Sequence, residues 1–184
     1  MNQIDELKLI QDFKNGKEQA FNQLVLRYQE KIYWIVRRMI PDHDDANDIT
    51  QNVFIKAYQS LKSFKGDSSF YTWIYRIAIN LSLNEIRRKK IRKVFSLDEE
   101  APIQLSSDDE QASERLEREE RTLSIKKAIE QLPEKQKKVF VLRYYDELPY
   151  EEIAKILNTT VGGLKANYFH AVKKIGAYLK HEQQ

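Results

Sequence analysis

Residues 64–93 read FKGDSSFYTWIYRIAINLSLNEIRRKKIRK, aromatic and amide side chains first and a dense basic tail after them. On a helix of about 3.6 residues per turn, positions 70–88 separate into two stripes. Phe70, Ile74, Ile77, Ala78 and Leu81 make an apolar stripe that belongs against a core. Beside it, at steps of three and four, run Trp73, Arg76, Asn80, Asn84 and Arg87. That second stripe offers a ring to stack on, amides for base edges and guanidinium groups for phosphate. Proteins that hold single-stranded nucleic acid need this combination, in which stacking contributes roughly 1–3 kcal/mol per base and a positive track follows the backbone. The same letters also fit a plainer account, with Trp73 and Tyr75 as core aromatics and the basic run as a solvated helix end. Composition does not separate the two.

Working outward, the chain reads as all-α. A helix is expected over about 3–15, closed by Gly16, and a second over 19–40, where Phe21, Leu24, Tyr28, Ile32, Ile35 and Met39 step by three and four until Pro41 stops it. A third runs from about 44 to 61, its opening acids Asp44, Asp45 and Asp48 suited to a helix N-terminus. A turn at Lys65-Gly66-Asp67 then leads into the helix described first. From 94 to 120 no apolar period is sustained, and Pro102 and the run SSDDEQ mark a linker that turns helical near its end. Past Arg121, Ile125, Ala128, Ile129 and Leu132 form a stripe, and Pro133 suits the first turn of a helix over 134–145. The expected architecture is two small helical domains, 1–93 and 122–184, joined by an acidic flexible linker, 94–121.

The net charge of +3 conceals an asymmetry. Residues 1–97 hold 17 basic and 11 acidic groups, residues 98–121 hold 3 and 10, and residues 122–184 hold 11 and 7. Two basic modules, which favour a polyanion such as nucleic acid, flank a connector that nucleic acid repels. There is no cysteine, so disulfides and thiolate metal sites are excluded, in keeping with a reducing compartment. The start MNQIDELKLIQDF lacks a signal peptide's basic and apolar regions, and no stretch approaches the roughly 20 apolar residues of a membrane span. The chain is therefore expected in the cytoplasm, without direct membrane insertion. No glycine-rich phosphate loop or metal-carboxylate pair is evident, and His43, His170 and His181 lie far apart, so neither catalytic residues, metal nor cofactor are expected.

The C-terminal module carries YEEIAKIL after Pro149, with Ile153, Ala154 and Leu157 pointing one way. Asn158 suits the left-handed conformation of a tight turn, and Thr159 or Thr160 can cap a second helix after it. This second helix is expected to bury Val161, Leu164, Tyr168, Val172 and Ile175 and to display Gly162, Ala166, Phe169, His170 and Lys173, with Lys165 on the flank. Two short helices with such a turn, over about 149–173, match a DNA-reading helix-turn-helix. Small residues early in the second helix permit close approach to base edges, and Phe169 suits contact with a thymine methyl. A plain helical hairpin is the alternative.

With these modules in this order the chain resembles the extracytoplasmic-function (group IV) sigma factors of the sigma-70 class. The likeness is strongest in DDANDITQNVFIKAY (44–58), SFKGDSSFYTWIYRIAIN (63–80) and LPYEEIAKILNTTVGGLKANYFHAVKKI (148–175). It implies that Asp48, Gln51, Asn52 and Phe54 dock on a coiled coil of the core RNA polymerase; relatives often carry an acid at the position of Asn52. It implies that the loop from Phe64 to Phe70 and the helix after it melt the promoter and read the −10 element. Asn80 would read an extruded base in a pocket walled by Phe64 and Ile77. Lys65, Phe70, Tyr71, Trp73, Tyr75 and Arg76 would hold the same strand, and Arg87 and Arg88 would lead the basic run onto phosphates. Thr160, Lys165, Ala166, Phe169, His170 and Lys173 fall where relatives contact the −35 element. Relatives often carry threonine at Gly163 and arginines near Asn167 and His170, so the preferred −35 sequence does not transfer and fewer cations anchor phosphate.

The resemblance also gives the connector a task. Roughly twenty base pairs of B-DNA span about 68 Å, and the 27 residues from 94 to 120 reach at most about 90–97 Å when extended. In the family this segment threads polymerase channels, where acids mimic phosphates; a solubilising spacer is the plainer account. An anti-sigma partner and a role in a stress or envelope response are further family expectations. Two other readings stay open: a free-standing helix-turn-helix regulator, which leaves the Asp48/Gln51/Phe54 ridge unexplained, and a nucleic-acid enzyme.

Overall fold

The computed structural model describes residues 3–95 and 110–182, with side chains over 6–92 and 120–182. Among the described residues there are eight α-helices, one π-helical segment and no strand. The N-terminal module is α1 (Gln3–Lys14), α2 (Gln19–Met39), α3 (His43–Leu61) and α4 (Phe70–Phe95). The C-terminal module is α5 (Glu110–Glu130), α6 (Glu134–Phe140), the π-helical segment Val141–Tyr145, α7 (Tyr150–Leu157) and α8 (Val161–Glu182). Five of the connector's ten acids, and Pro102, lie outside the described residues.

Local chemistry sets the ends of these helices. Gly16, at φ 92°, closes α1 in the left-handed region, and Pro41 follows α2. The Asp42 carboxylate accepts the Asp45 amide at 2.9 Å and caps α3, and this hydrogen bond holds its carboxyl below the usual range. Ser69 caps α4, its hydroxyl accepting the Thr72 amide at 3.1 Å. Asn158 sits at φ 49°, ψ 58°, the left-handed residue that turns the chain from α7 into α8, and the Thr160 hydroxyl accepts the Gly163 amide at 3.2 Å. Both turn expectations hold.

The main core gathers Leu24, Ile32, Ile35 and Met39 of α2, Val53 and Leu61 of α3 and Phe70, Ile74 and Ala78 of α4, none more than 2% exposed. It does not stop at the N-terminal module, because Ile153 and Ile156 of α7 and Leu142 of the π segment belong to the same continuous cluster. A smaller core of Ala128, Ile129, Leu132, Phe140, Ala171 and Ile175 joins α5, α6 and α8. Thus α7 docks on α4, and the two modules are packed together.

Four sequence expectations are corrected. On α4, Phe70, Ile74 and Ala78 are buried but Ile77 and Leu81 only half-buried, while Tyr75, Ile79, Ser82 and Leu83 are buried too. The helix is covered on a second side, by the C-terminal module, which the apolar stripe alone did not show. On α8 the buried residues are Leu164, Ala171 and Ile175, with Val161 and Tyr168 half-buried and Val172 47% exposed. At about 100° per residue, position 171 falls about 20° from position 164 and position 172 about 80° away. Geometry outranks side-chain size here. The helix expected over 134–145 widens into π geometry at Val141, and on α7 Ile156 is buried where Ala154 and Leu157 are half-buried.

Urea unfolding tests both points. Ala171→Leu should lower stability by about 1–3 kcal/mol through overpacking, whereas Val172→Ala should stay within about 0.5 kcal/mol. Asn158→Gly should be tolerated, and Asn158→Val should cost about 1–2 kcal/mol because a β-branched residue resists the left-handed region.

Candidate nucleic-acid interface

The loop before α4 is fixed by its aromatic residues. The Trp73 ring lies 5.0 Å from that of Phe64 and 5.6 Å from that of Phe70, centroid to centroid. Phe64 and Phe70 are buried, Trp73 is half-buried, and the Lys14 ammonium donates to the Phe64 carbonyl at 2.5 Å. Gly66, at φ 80°, makes the turn that leaves Lys65 exposed at the tip. The ring that remains partly open on this loop is therefore that of Trp73.

Along α4 the polar stripe is outward: Arg76, Asn80, Asn84, Arg87 and Arg88 are exposed, with Ile77 half-buried beside them. The Tyr75 and Tyr71 rings meet at a tilt of 36° with centroids 4.2 Å apart, and Tyr75 is only 3% exposed. Burial pushes the Tyr75 hydroxyl up to about 12, with nearby Asp146 adding to the effect, and burial raises Tyr71 as well. Phe70 and Tyr75 are thus core residues in this arrangement, as the plainer account of the aromatics has it for Tyr75. Arg76 reaches the C-terminal module, donating to the carbonyls of Lys155 at 2.8 Å and Ile156 at 3.2 Å. Arg87 grips Glu134 with two parallel hydrogen bonds of 2.9 and 2.6 Å, which hold the Glu134 carboxyl below its usual range. Arg88 pairs with Glu85 within α4 at 2.7 Å. Asn80 lines a recess of about 220 Å³ with Arg76, Lys138 and Asn158.

On α3, Asp48, Gln51 and Asn52 are exposed in a row, while Phe54 is 9% exposed and packs into the main core. Ile55, 52% exposed, extends the row and was not singled out from sequence. Its signal was available: it follows Gln51 by four positions and Asn52 by three, on the same helix face. Asn52 and Ile55 share a recess with Asn84 and Arg88, so the α3 ridge and the α4 stripe are neighbours.

On α8, Lys165, Ala166, Phe169, His170 and Lys173 are all exposed, Phe169 at 64% with its ring 5.6 Å from that of His170. Thr160 is exposed, but its hydroxyl is engaged as the helix cap. A Cβ at Gly163 would stand 3.2 Å from that hydroxyl, so a larger residue there would press on the cap. Among the described residues no cluster of histidine or acidic side chains could hold a metal, and no helix is long and apolar enough to cross a membrane.

Comparison with known proteins matches this architecture. The family model for sigma-70 region 2 matches residues 24–91, and that for sigma-70 region 4 matches residues 122–175. The RNA polymerase sigma-H factor of Pseudomonas aeruginosa is 35% identical, over 98% of this chain and 96% of its own. The ECF RNA polymerase sigma-E factor of Escherichia coli (strain K12) is 37% identical, over 94% of this chain and 93% of its own. Among solved structures, CnrH in complex with the cytosolic domain of CnrY shares the fold with a TM-score of 0.66 at 22% identity, covering 96% of this chain and 97% of that one. The sigma factor RpoE from Bartonella quintana, in complex with the anti-sigma factor NepR, does so with a TM-score of 0.63 at 23% identity, covering 88% and 98%. A region 2 module and a region 4 module in this order, with close relatives along almost the whole length, mean that the chain belongs to the sigma-70 family, in its extracytoplasmic-function branch.

Proposed function

We propose that three exposed faces divide the work of a sigma factor in this chain. Sigma factors direct promoter-specific transcription initiation, and the polymerase supplies the chemistry; this chain accordingly needs no catalytic residue or cofactor of its own. The row Asp48, Gln51 and Asn52 on α3 docks on core polymerase, with Phe54 holding the helix in place from the core side. The acidic-amide character of that row suits a basic coiled-coil partner. On α4, Asn80 reads a −10 base, Trp73 offers the partly open ring, and Lys65, Arg76, Arg87 and Arg88 hold the strand's phosphates. On α8, Ala166 and Phe169 approach base edges of the −35 element in the major groove, while His170, Lys165 and Lys173 lie beside them. The observation that carries this reading is the display of all three sets on outward faces, with the α3 ridge and α4 stripe meeting at one recess.

The domain limits 1–93, 94–121 and 122–184 belong to the same reading, as does a cytoplasmic location. The Bartonella quintana RpoE structure contains an anti-sigma factor. By family likeness we extend such a partner, and release from it under stress, to this chain.

Run-off transcription with purified bacterial core polymerase, on a pool of promoter fragments, tests the assignment. Defined transcripts should appear only when the protein is added. Asp48→Arg should abolish core binding and transcripts together; duplex binding that survives with no transcript from the native chain would instead indicate a free-standing regulator. Asn80→Ala should weaken discrimination at one −10 base by roughly 5–30-fold, the worth of one hydrogen-bonded amide, without equal loss of core binding. Lys173→Ala should weaken promoter binding across all −35 sequences and lower the salt slope by about one.

A further inference from the structure

A cavity of about 500 Å³ lies between the end of α2 and the start of α3 on one side and α5 with the π-helical segment on the other. None of its lining residues belongs to the three faces assigned above. Cavities that enclose small molecules run to about 300–1,000 Å³. The aromatic part of the wall is Tyr33, Trp34 and Tyr145. Trp34 is 49% exposed, which leaves indole surface open to a planar ring, and the Tyr33 ring braces it in a T-shaped contact at 5.3 Å. Tyr33 is held in turn by His43, whose Nδ1 lies 2.9 Å from its hydroxyl and whose Nε2 lies 3.0 Å from the Asn47 side-chain nitrogen. An amide nitrogen only donates, so with this arrangement Nε2 accepts, Nδ1 carries the ring proton and the Tyr33 oxygen accepts it. The tyrosine keeps its own proton as a donor.

The charged groups on the wall are not equivalent. The Arg38 guanidinium is occupied, paired with Asp146 at 2.5 Å and lying over the Tyr145 ring at 4.9 Å. Arg37 is engaged through Nη1, which donates to the carbonyls of Pro41 and, at 3.3 Å, Ile40. These bonds fix its head group at the end of α2 and leave the rest of its fork of donors for a ligand. Lys126, exposed on α5, has no ion-pair partner among the described residues. The acid on the wall, Glu130, acts on Lys137, whose charged form burial disfavours and Glu130 favours. Two available cations beside an open ring suit a phosphate dianion joined to a planar base. Arginine and lysine bind phosphate oxygens by charge-assisted hydrogen bonds, and every base has a face that stacks.

We propose that this cavity binds a purine nucleoside monophosphate, with the base against Trp34 and the phosphate held by Arg37 and Lys126. A purine covers more of the indole than a pyrimidine does. Ile129, 4% exposed, and Pro41 give apolar contact to base and sugar, and Glu130 offers acceptors to a purine amino group. Trp34 and Arg37 come from the N-terminal module and Lys126 from the C-terminal one, so the site is complete when the two pack together. A ligand bound there favours that packing by mass action. The inference is independent of the roles given to α3, α4 and α8.

The chain has two tryptophans, so a nitrogen-15 spectrum of the full chain carries two indole cross-peaks, which Trp34→Phe assigns. Titration with AMP or GMP at about 0.15 M salt should move the Trp34 peak in a saturable way. Adenosine and inorganic phosphate, each alone, should bind at least about tenfold more weakly, since each makes only one of the two contacts. Lys126→Glu should weaken the nucleotide at least about tenfold. Lys31→Glu, the same charge change at an exposed lysine elsewhere on α2, should leave the response as it is. A Trp34 peak that stays still, movement of the Trp73 peak alone, an equal response to inorganic phosphate, or an undiminished response in Lys126→Glu would each overturn the site. Movement of the Trp34 peak by a single-stranded DNA 12-mer at lower concentration than by either nucleotide would overturn the mononucleotide in favour of a strand.

Discussion

A helix that buries most of its circumference has only a narrow face left for a ligand, and α4 lives under that constraint. Phe70, Ile74 and Ala78 close the N-terminal bundle on one side. Tyr75 and Ile79 are buried on another, in a cluster that continues into Ile153 and Ile156 of α7. What remains is a strip of Arg76, Asn80, Asn84 and Arg87, and two of its guanidinium groups are already engaged by the C-terminal module. Under the proposed reading of α4, fold and function draw on one element, because Arg76 and Arg87 also join the two modules.

The division of the C-terminal core reflects the same arrangement. Helices α5, α6 and α8 share a small core of their own, whereas α7 gives its buried isoleucines to the larger one. Parting the modules would uncover Tyr75 and Ile79 on α4 and Ile156 on α7, apolar surface whose exposure costs roughly 25 cal/mol per Å². A partner that covers part of that surface is the natural driver of opening, which matches a factor whose activity depends on a large polymerase. The acidic connector fits this economy of surfaces: with 3 basic and 10 acidic groups in residues 98–121, it has no attraction for the DNA that its flanking modules bind.

Periodicity and turn chemistry made much of this legible in the sequence. The α2 stripe, the acidic start of α3, the glycine turns and the left-handed Asn158 are each decided by local rules, and each appears as read. What escaped was set by tertiary contact. Ala171 takes the buried place expected of Val172 because helix geometry, not side-chain size, chooses the seam. Ile79 and Ile156 read as unremarkable hydrophobic residues until the modules meet. The exposed Ile55 beside Asn52 carried a positional signal, but an isolated apolar side chain on a helix surface is common enough to pass without notice. For the α4 aromatics the stacking account and the core account are each partial: Tyr75 is core, and Trp73 is shared between the loop and the solvent.

The two modules pack together in this structure, while the proposed function needs them on promoter elements about 68 Å apart, and an inter-module distance tests this most directly. Because the chain has no cysteine, labels can be placed cleanly at Lys31→Cys on α2 and Lys180→Cys on α8, both exposed, and followed by single-molecule energy transfer. The account predicts one short distance in the free protein and a longer one, greater by tens of Å, once core polymerase and a promoter are bound. A long or widely spread distance in the free chain, or the same short distance in the promoter complex, would contradict it.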